Sequence, residues 1–305
     1  MLTPNVSAIQ QAAATTLTPD VAAIQQAVMK FTSSQSLLLP YAETLIELRF
    51  GPQPLVVDGQ TLGEFDPLAD YPQLADNLQN AQAHILSFTN NVSEPLNIWA
   101  VQGLPDFNDT FQMQAGQLTA VINAVGINGT PTPAERLTVK TALATIAKGL
   151  AQGEAVIAAA QKNLTTFQNQ FTTDHMALTE SDDALNRIIP QAQQQFTNDA
   201  LKFIGGPFGA QLAMLVEQVG GQVIDQLSSL ESSVDDALSA SQGLGLGLTA
   251  FASLVATLSA KYAAVSTEIA QAADAEVASL LQALDVQVAA KAWSQLTDFV
   301  AQSGL

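Results

Sequence analysis

The stretch that decides the fold is TPAERLTVKTALATIAKGLAQGEAVIAAAQKNLTTFQNQFTTDHMALTESDDALNRII, residues 132–189. It starts with a capping box, in which Thr132 is the N-cap, Pro133 suits the first turn and Glu135 follows three residues after the cap. No other proline interrupts the stretch. Apolar residues then recur at a constant interval of seven, which predicts one long helix with a continuous apolar stripe. They are Leu143, Leu150, Ile157, Leu164, Phe171, Leu178 and Leu185.

At 1.5 Å per residue, a helix over residues 133–189 is about 85 Å long, whereas an ordinary helix has about 11 or 12 residues. A compact globule cannot cover a stripe of that length, so other long helices must run beside it. The last third of the chain predicts one of them, because apolar residues from Phe251 to Phe299 follow spacings of three and four.

The composition agrees with an all-helical protein. Hydrophobic residues make up 48% of the 305 residues, while 12% are charged and 6% are aromatic. The formal charge of −18 gives a surface field that repels nucleic acids and anionic lipids. The chain has no cysteine, which excludes disulfides and thiolate chemistry. The N-terminus lacks the basic and apolar regions of a classical signal peptide, so the sequence predicts a cytosolic protein or another export route.

Two copies of one pattern open the chain. Leu2-Thr-Pro-Asn-Val-Ser-Ala-Ile-Gln-Gln-Ala12 is echoed by Leu17-Thr-Pro-Asp-Val-Ala-Ala-Ile-Gln-Gln-Ala27. Each copy predicts a helix start, with Thr3 or Thr18 as the cap and a proline in the first turn. A helix with a kink or boundary at Pro40 follows, and prolines and glycines over residues 51–72 then predict a loop of about twenty residues.

An apolar stretch, FIGGPFGAQLAMLVEQVGGQVI, follows the long helix at residues 203–224, and Glu217 is its single charged residue. Its glycines predict one short apolar helix between flexible joints. A short core helix with glycine turns is the simpler interpretation, and a buried hairpin that is released later is the other. A second uncharged run, residues 237–260, leaves a membrane-active role open there too.

Nothing in the sequence positions a catalytic nucleophile, base or metal. His84 and His175 lack partners at a recognised metal spacing, and we interpret both as ordinary surface or core histidines. Asp182-Asp183 and Asp235-Asp236 are interpreted as solvated helix faces. The glycines of Gly243-Leu-Gly-Leu-Gly247 lack the spacing of a nucleotide fingerprint. We predict no enzyme, no cofactor and no metal.

Four short patterns occur in the order Ser36-Leu-Leu-Leu-Pro-Tyr41, Ala83-His84 through Pro95 to Trp99, Leu164 to Asp174, and Ala292-Trp293-Ser-Gln-Leu296. Together they resemble the α-helical pore-forming toxins related to cytolysin A, including the haemolysin BL and non-haemolytic enterotoxin components. The first two patterns are similar to that family's first and second helices, the next resembles its third helix, and the last resembles its closing helix. The resemblance covers about residues 30 to 302.

The resemblance implies an all-α fold, with an elongated bundle of about five long helices (the tail, residues 1–199 and 245–305). A small apolar head, residues 200–244, is inserted between the third and fourth long helices. It also implies a water-soluble, secreted or released toxin component that meets a target-cell membrane, with partner toxin components or as a homo-oligomer. The alternative is a non-lytic helical scaffold or a lipid- or granule-coat protein.

The head supplies the site residues of this hypothesis. Glu217 is expected to face water or a partner, because a carboxylate in hydrocarbon is costly. The expected membrane-contact residues are Phe203, Ile204, Phe208, Leu212, Leu215, Val216 and Val219. The expected hinges, which let the head unfold outward, are Gly205, Gly206, Gly220, Gly221, Gly243, Gly245 and Gly247.

Overall fold

The computed structural model describes residues 18–303 except 49, 58, 67–68, 70, 127–128, 204–206 and 273. The predicted all-α fold is confirmed, because about five long helices hold most of the described residues. The helices are α1 (Val21–Glu47), α2 (Pro72–Phe88), α3 (Glu94–Ile98), α4 (Leu104–Val125), α5 (Pro133–Phe203), α6 (Pro207–Gln271), α7 (Asp274–Ala283) and α8 (Val286–Gln302).

Helix α5 confirms the heptad pattern and continues to Phe203, through Pro190. All seven residues of the predicted stripe are buried, from 0% to 6% exposed. The capping box is also present: the Thr132 amide donates to Glu135 Oε2 at 2.6 Å, and the Glu135 amide donates to Thr132 Oγ1 at 3.2 Å. The hydrogen bonds that the amide and the hydroxyl of Thr132 donate to the Glu135 carboxylate hold the pKa of this carboxyl below its ordinary value.

Helix α1 begins two residues later than predicted. Asp20 rather than Thr18 is the cap, since its Oδ1 accepts a hydrogen bond of 3.0 Å from the Ala23 amide. Aspartate is among the strongest N-caps, and it lies directly before the helix. The helix passes through Pro40 without a boundary. The first copy of the repeat lies outside the described residues.

The predicted loop over residues 51–72 is wrong in part. Strands β1 (Gln53–Val57) and β2 (Gln60–Phe65) form an antiparallel hairpin there, with Val57 paired to Gln60. Gly59 has a φ of 78°, a conformation that glycine adopts without steric cost. The Asp58-Gly59 dipeptide after Leu55-Val-Val is a typical hairpin signal that the count of breakers obscured.

Helices α2, α3 and α4 are joined by two π-helical turns, Thr89–Ser93 and Trp99–Gly103, so the chain stays helical through Pro95. Proline has no N–H to donate to the carbonyl four residues earlier. The Asn163 side-chain amide donates to that carbonyl, on Asn91, at 3.1 Å. The neighbouring helix thus supplies a donor where the proline cannot.

The chain divides into two compact units, and helices α1, α5 and α6 contribute residues to both. Unit 1 contains residues up to Ser34, Asn90–Leu164 and residues from Gly243 onward. Its core includes Phe107 edge-on to Trp293, with ring centroids 4.7 Å apart. Gln112 of α4 donates to the Ala290 carbonyl of α8 at 2.8 Å, which links these two helices.

Unit 2 contains Gln35–Thr89 and Thr165–Gln242. Within it, α5 and α6 run antiparallel: Gln168 donates to the Ser241 carbonyl at 2.8 Å, and eleven residues further on Thr179 donates to Glu231 at 3.0 Å. Aromatic rings of α1, α2 and α5 pack together in the same unit. Tyr41 and Phe88 lie against Phe171 and Phe167, at centroid distances of 5.1 and 4.7 Å.

Candidate functional site

The stretch expected to contact a membrane spans the end of α5 and the start of α6. Phe203 is the last residue of α5, and Phe208 and Leu212 lie in the first turns of α6. Ile204, Gly205 and Gly206 lie outside the described residues. The predicted break therefore falls between two helices, each of which is far longer than the short apolar helix that the sequence predicted.

Further along α6, the apolar residues of this stretch differ in exposure. Val216 is fully buried, whereas Leu215 and Val219 are half-buried. Met214 is 60% exposed, and Glu217 is exposed as well. The stretch therefore holds its central valine inside unit 2 and presents a methionine and a carboxylate at the surface.

The predicted helix break at Gly220-Gly221 is wrong, because both residues lie inside the continuous helix α6. A glycine inside a helix costs about 1 kcal/mol relative to alanine, which tertiary packing easily offsets. The packing reason is visible at Gly220, where a Cβ would lie 2.6 Å from Ile189 Cδ1. Gly220 thus allows α5 and α6 to approach closely in unit 2.

The predicted joint over residues 243–247 is also helical. A Cβ on Gly243 would clash with Ser34 Oγ, and one on Gly247 would lie 3.1 Å from both the Ala27 carbonyl oxygen and the Phe31 nitrogen. Gly245 lies in the same helix. Two of these three glycines are therefore positions where α1 and α6 pack closely in unit 1.

Helix α6 also contains an apolar segment. Within Ala213–Gln271, an 18-residue window has a mean hydropathy of 1.6, and 28% of that window is buried. By length and composition this helix is able to cross a membrane, although core helices of soluble proteins pass the same test. In the part of the chain that the structure describes, it is the one helix with this property.

A partly buried polar pair in unit 2 was missed by the sequence analysis. His84 Nδ1 of α2 lies 2.8 Å from Asp174 Oδ2 of α5, and the two side chains are 29% and 8% exposed. Burial raises the pKa of the Asp174 carboxyl, and the hydrogen bond from His84 opposes that rise. Because ninety residues separate the partners, no local spacing could reveal them. The pair joins α2 and α5 in unit 2.

The sequence predicted Asp182 on a solvated helix face, but its side chain is half-buried. Burial raises the pKa of its carboxyl, and the charges of Glu231 and Asp183 raise it further. Among the described residues, no group of three or more His, Asp or Glu side chains has an arrangement suited to a metal ion.

Three solved structures share this architecture over nearly their whole length. MakB, a cytotoxin from Vibrio cholerae, is 13% identical with a TM-score of 0.60, over 95% of this chain and 94% of its own. HblL1, a Bacillus cereus toxin component, is 11% identical with a TM-score of 0.54, over 91% and 96%. Soluble AhlB, of the tripartite α-pore-forming toxin AHL from Aeromonas hydrophila, is 12% identical with a TM-score of 0.54, over 91% and 93%.

This chain has the fold of these toxin components. The resemblance inferred from four short sequence patterns is therefore confirmed at the level of the fold. No protein-family model matches the sequence, and no curated protein matches it. The shared fold is thus accompanied by little shared sequence, and roles of individual residues have to be argued from this chain.

The two adjacent glycines of α6 give a matched test of the packing. Alanine at position 221 meets no atom within 4 Å and should stabilise the protein by about 1 kcal/mol through its helix propensity. Alanine at position 220 would overlap Ile189, and overpacking costs about 1–3 kcal/mol. We expect Gly221→Ala to raise the free energy of unfolding in urea and Gly220→Ala to lower it. Equal stabilisation by both variants would contradict close packing at Gly220.

Removal of His84 from its pair with Asp174 should lower the stability of the protein, and this loss should depend on pH. His84→Ala leaves the Asp174 carboxylate buried without this partner and should cost about 1–3 kcal/mol near neutral pH. Because the folded-state pKa of Asp174 is raised, the penalty of its charge is present above that pKa. The penalty is relieved as the pH falls and the folded carboxyl takes up a proton.

The double variant His84→Ala/Asp174→Ala is the control, because it removes the buried charge together with its partner. Thermal unfolding should show that it recovers part of the loss at neutral pH. A single variant whose deficit grows with acidification would refute this assignment.

Proposed function

We propose that this chain is a component of an α-helical pore-forming toxin. It stays soluble while its apolar head is buried, and it exposes that head on meeting a target-cell membrane. The carrying observation is the fold shared with MakB, HblL1 and AhlB over more than nine-tenths of every chain. The proposal assigns no catalysis and no cofactor to the chain.

In this proposal the head comprises residues 200–244, and the tail comprises residues 1–199 and 245–305. Membrane contact is assigned to Phe203, Ile204, Phe208, Leu212, Leu215, Val216 and Val219. Val216 is fully buried, so the start of α6 must leave unit 2 before this side chain reaches lipid. One 18-residue window within Ala213–Gln271 is apolar enough to be accommodated in hydrocarbon, which supports membrane contact by α6 as a whole.

The hinge role of the glycines needs a different mechanism from the joints that the sequence predicted. Gly220, Gly221, Gly243, Gly245 and Gly247 lie in one helix, so they act as hinges only when that helix unwinds. Glycine weakens a helix once its packing partner is gone. Separation from Ile189 would therefore favour unwinding at Gly220, which couples release of the head to loss of its packing.

The net charge of the chain limits how it reaches a membrane, and the toxin neighbours support a choice of partners. The formal charge of −18 offers no attraction to anionic headgroups, so contact depends on apolar burial or on a receptor. AhlB belongs to a tripartite toxin, which supports companion components as the partners of this chain, with a homo-oligomer as the other form. The protein is then secreted or released as a soluble monomer.

Flotation with neutral liposomes tests the position of membrane contact. Met214→Glu places a carboxylate in the proposed contact stretch, and Met176→Glu places one on α5 at a methionine of equal exposure, 61% against 60%. A carboxylate in hydrocarbon costs about 2.5–3.5 kcal/mol, so Met214→Glu should reduce the floated fraction about tenfold or more. The natural protein and Met176→Glu should float equally.

Both variants replace exposed side chains, and circular dichroism should show unchanged helix content. An equal loss in both variants would assign the effect to added charge. Equal flotation of all three proteins would place contact outside the start of α6 and contradict the proposed head.

A further inference from the structure

Residues 18–27 of the second copy of the N-terminal repeat pack in unit 1. Their contacts show which features of a segment this docking surface binds. Asp20 caps the helix through the Ala23 amide. Ile24 is 1% exposed, and Ala27 is 5% exposed. Ala27 faces Gly247 of α6, where a Cβ would lie 3.1 Å from the Ala27 carbonyl oxygen. The surface thus takes a capped helix start with an isoleucine and a small residue three positions later.

The first copy meets every one of these requirements in its sequence. Nine of the eleven residues 2–12 are identical to residues 17–27. Ile9 corresponds to Ile24, and Ala12 corresponds to Ala27. Asn5 corresponds to Asp20, and asparagine is as good an N-cap as aspartate. A segment that keeps the cap, the buried isoleucine and the small residue is suited to the same surface.

We propose that residues 2–12 are an alternative occupant of the docking surface that holds residues 17–27, and that they bind it in the same chain by a fifteen-residue exchange. A groove of about 490 Å³ lies between Thr18–Asp20 of the second copy and residues 254–261 of α6. The second copy leaves the surface when the first copy binds.

Covalent attachment favours binding of the first copy within its own chain over binding to another copy of the protein. A short flexible linker gives an attached segment an effective concentration of roughly millimolar, well above that of free protein in dilute solution. The exchange lets the start of α1 detach while Ile9 and Ala12 cover the surface that Ile24 and Ala27 leave. Release of a helix end therefore does not expose the apolar core of unit 1.

Cysteine cross-linking tests the exchange, because the natural sequence has no cysteine. Thr18 and Thr257 line the same groove, so Thr18→Cys/Thr257→Cys with a short bismaleimide reports the second copy in place and leaves the Asp20 cap intact. Thr3→Cys/Thr257→Cys reports the first copy, because Thr3 corresponds to Thr18. Ile24→Ala, which weakens the second copy, should raise the cross-linked fraction of the Thr3 pair by about tenfold. Ile9→Asp should abolish that cross-link.

The cross-linked fraction of the Thr18 pair should fall with Ile24→Ala and remain unaffected by Ile9→Asp, which separates docking from random collision of a tethered segment. Circular dichroism should confirm equal helix content in all variants. A Thr3 cross-link that is unchanged by both substitutions, or that joins two chains in place of one, would overturn the proposal. Absence of the Thr3 cross-link while the Thr18 pair still reacts would also overturn it.

Discussion

Burial of one continuous apolar stripe along α5 is the constraint on which the rest of the fold depends. No single short element can cover a stripe of this length, so each unit supplies its own partners. In unit 2 the stripe meets Tyr41 of α1 and lies beside α2 and α6. In unit 1, α5 approaches Phe107 of α4 and Trp99 through Gly149 and Gly153. Long helices follow from this one requirement for cover.

Much of the fold could be predicted from the sequence, because local signals specify it. The heptad residues and the Thr132–Glu135 capping box depend on spacing along one helix, and both are present. Spacing carries no information about which helices become neighbours. The His84–Asp174 pair was missed for that reason, and the glycines of α6 were interpreted as breaks. A glycine that Ile189 or Ala27 packs against looks in sequence like a glycine that ends a helix.

This misinterpretation bears on the candidate site. If glycines broke α6, the head would be a preformed module on flexible joints. In a continuous helix, Val216, one of the residues proposed to meet lipid, is instead fully buried in unit 2. Contact of this side chain with lipid then requires the helix around it to lose its packing first. The same valine thus belongs both to the core of unit 2 and to the proposed contact stretch.

A fluorescent label at single cysteines tests this account most directly, since the natural chain has none. An environment-sensitive dye on Val219→Cys should be quenched by lipid-attached nitroxides when neutral liposomes are added. The same dye on Val288→Cys of α8, a position 50% exposed, should remain unquenched. Quenching at position 288 and not at 219 would contradict the account, as would membrane-bound protein with neither dye in contact with lipid.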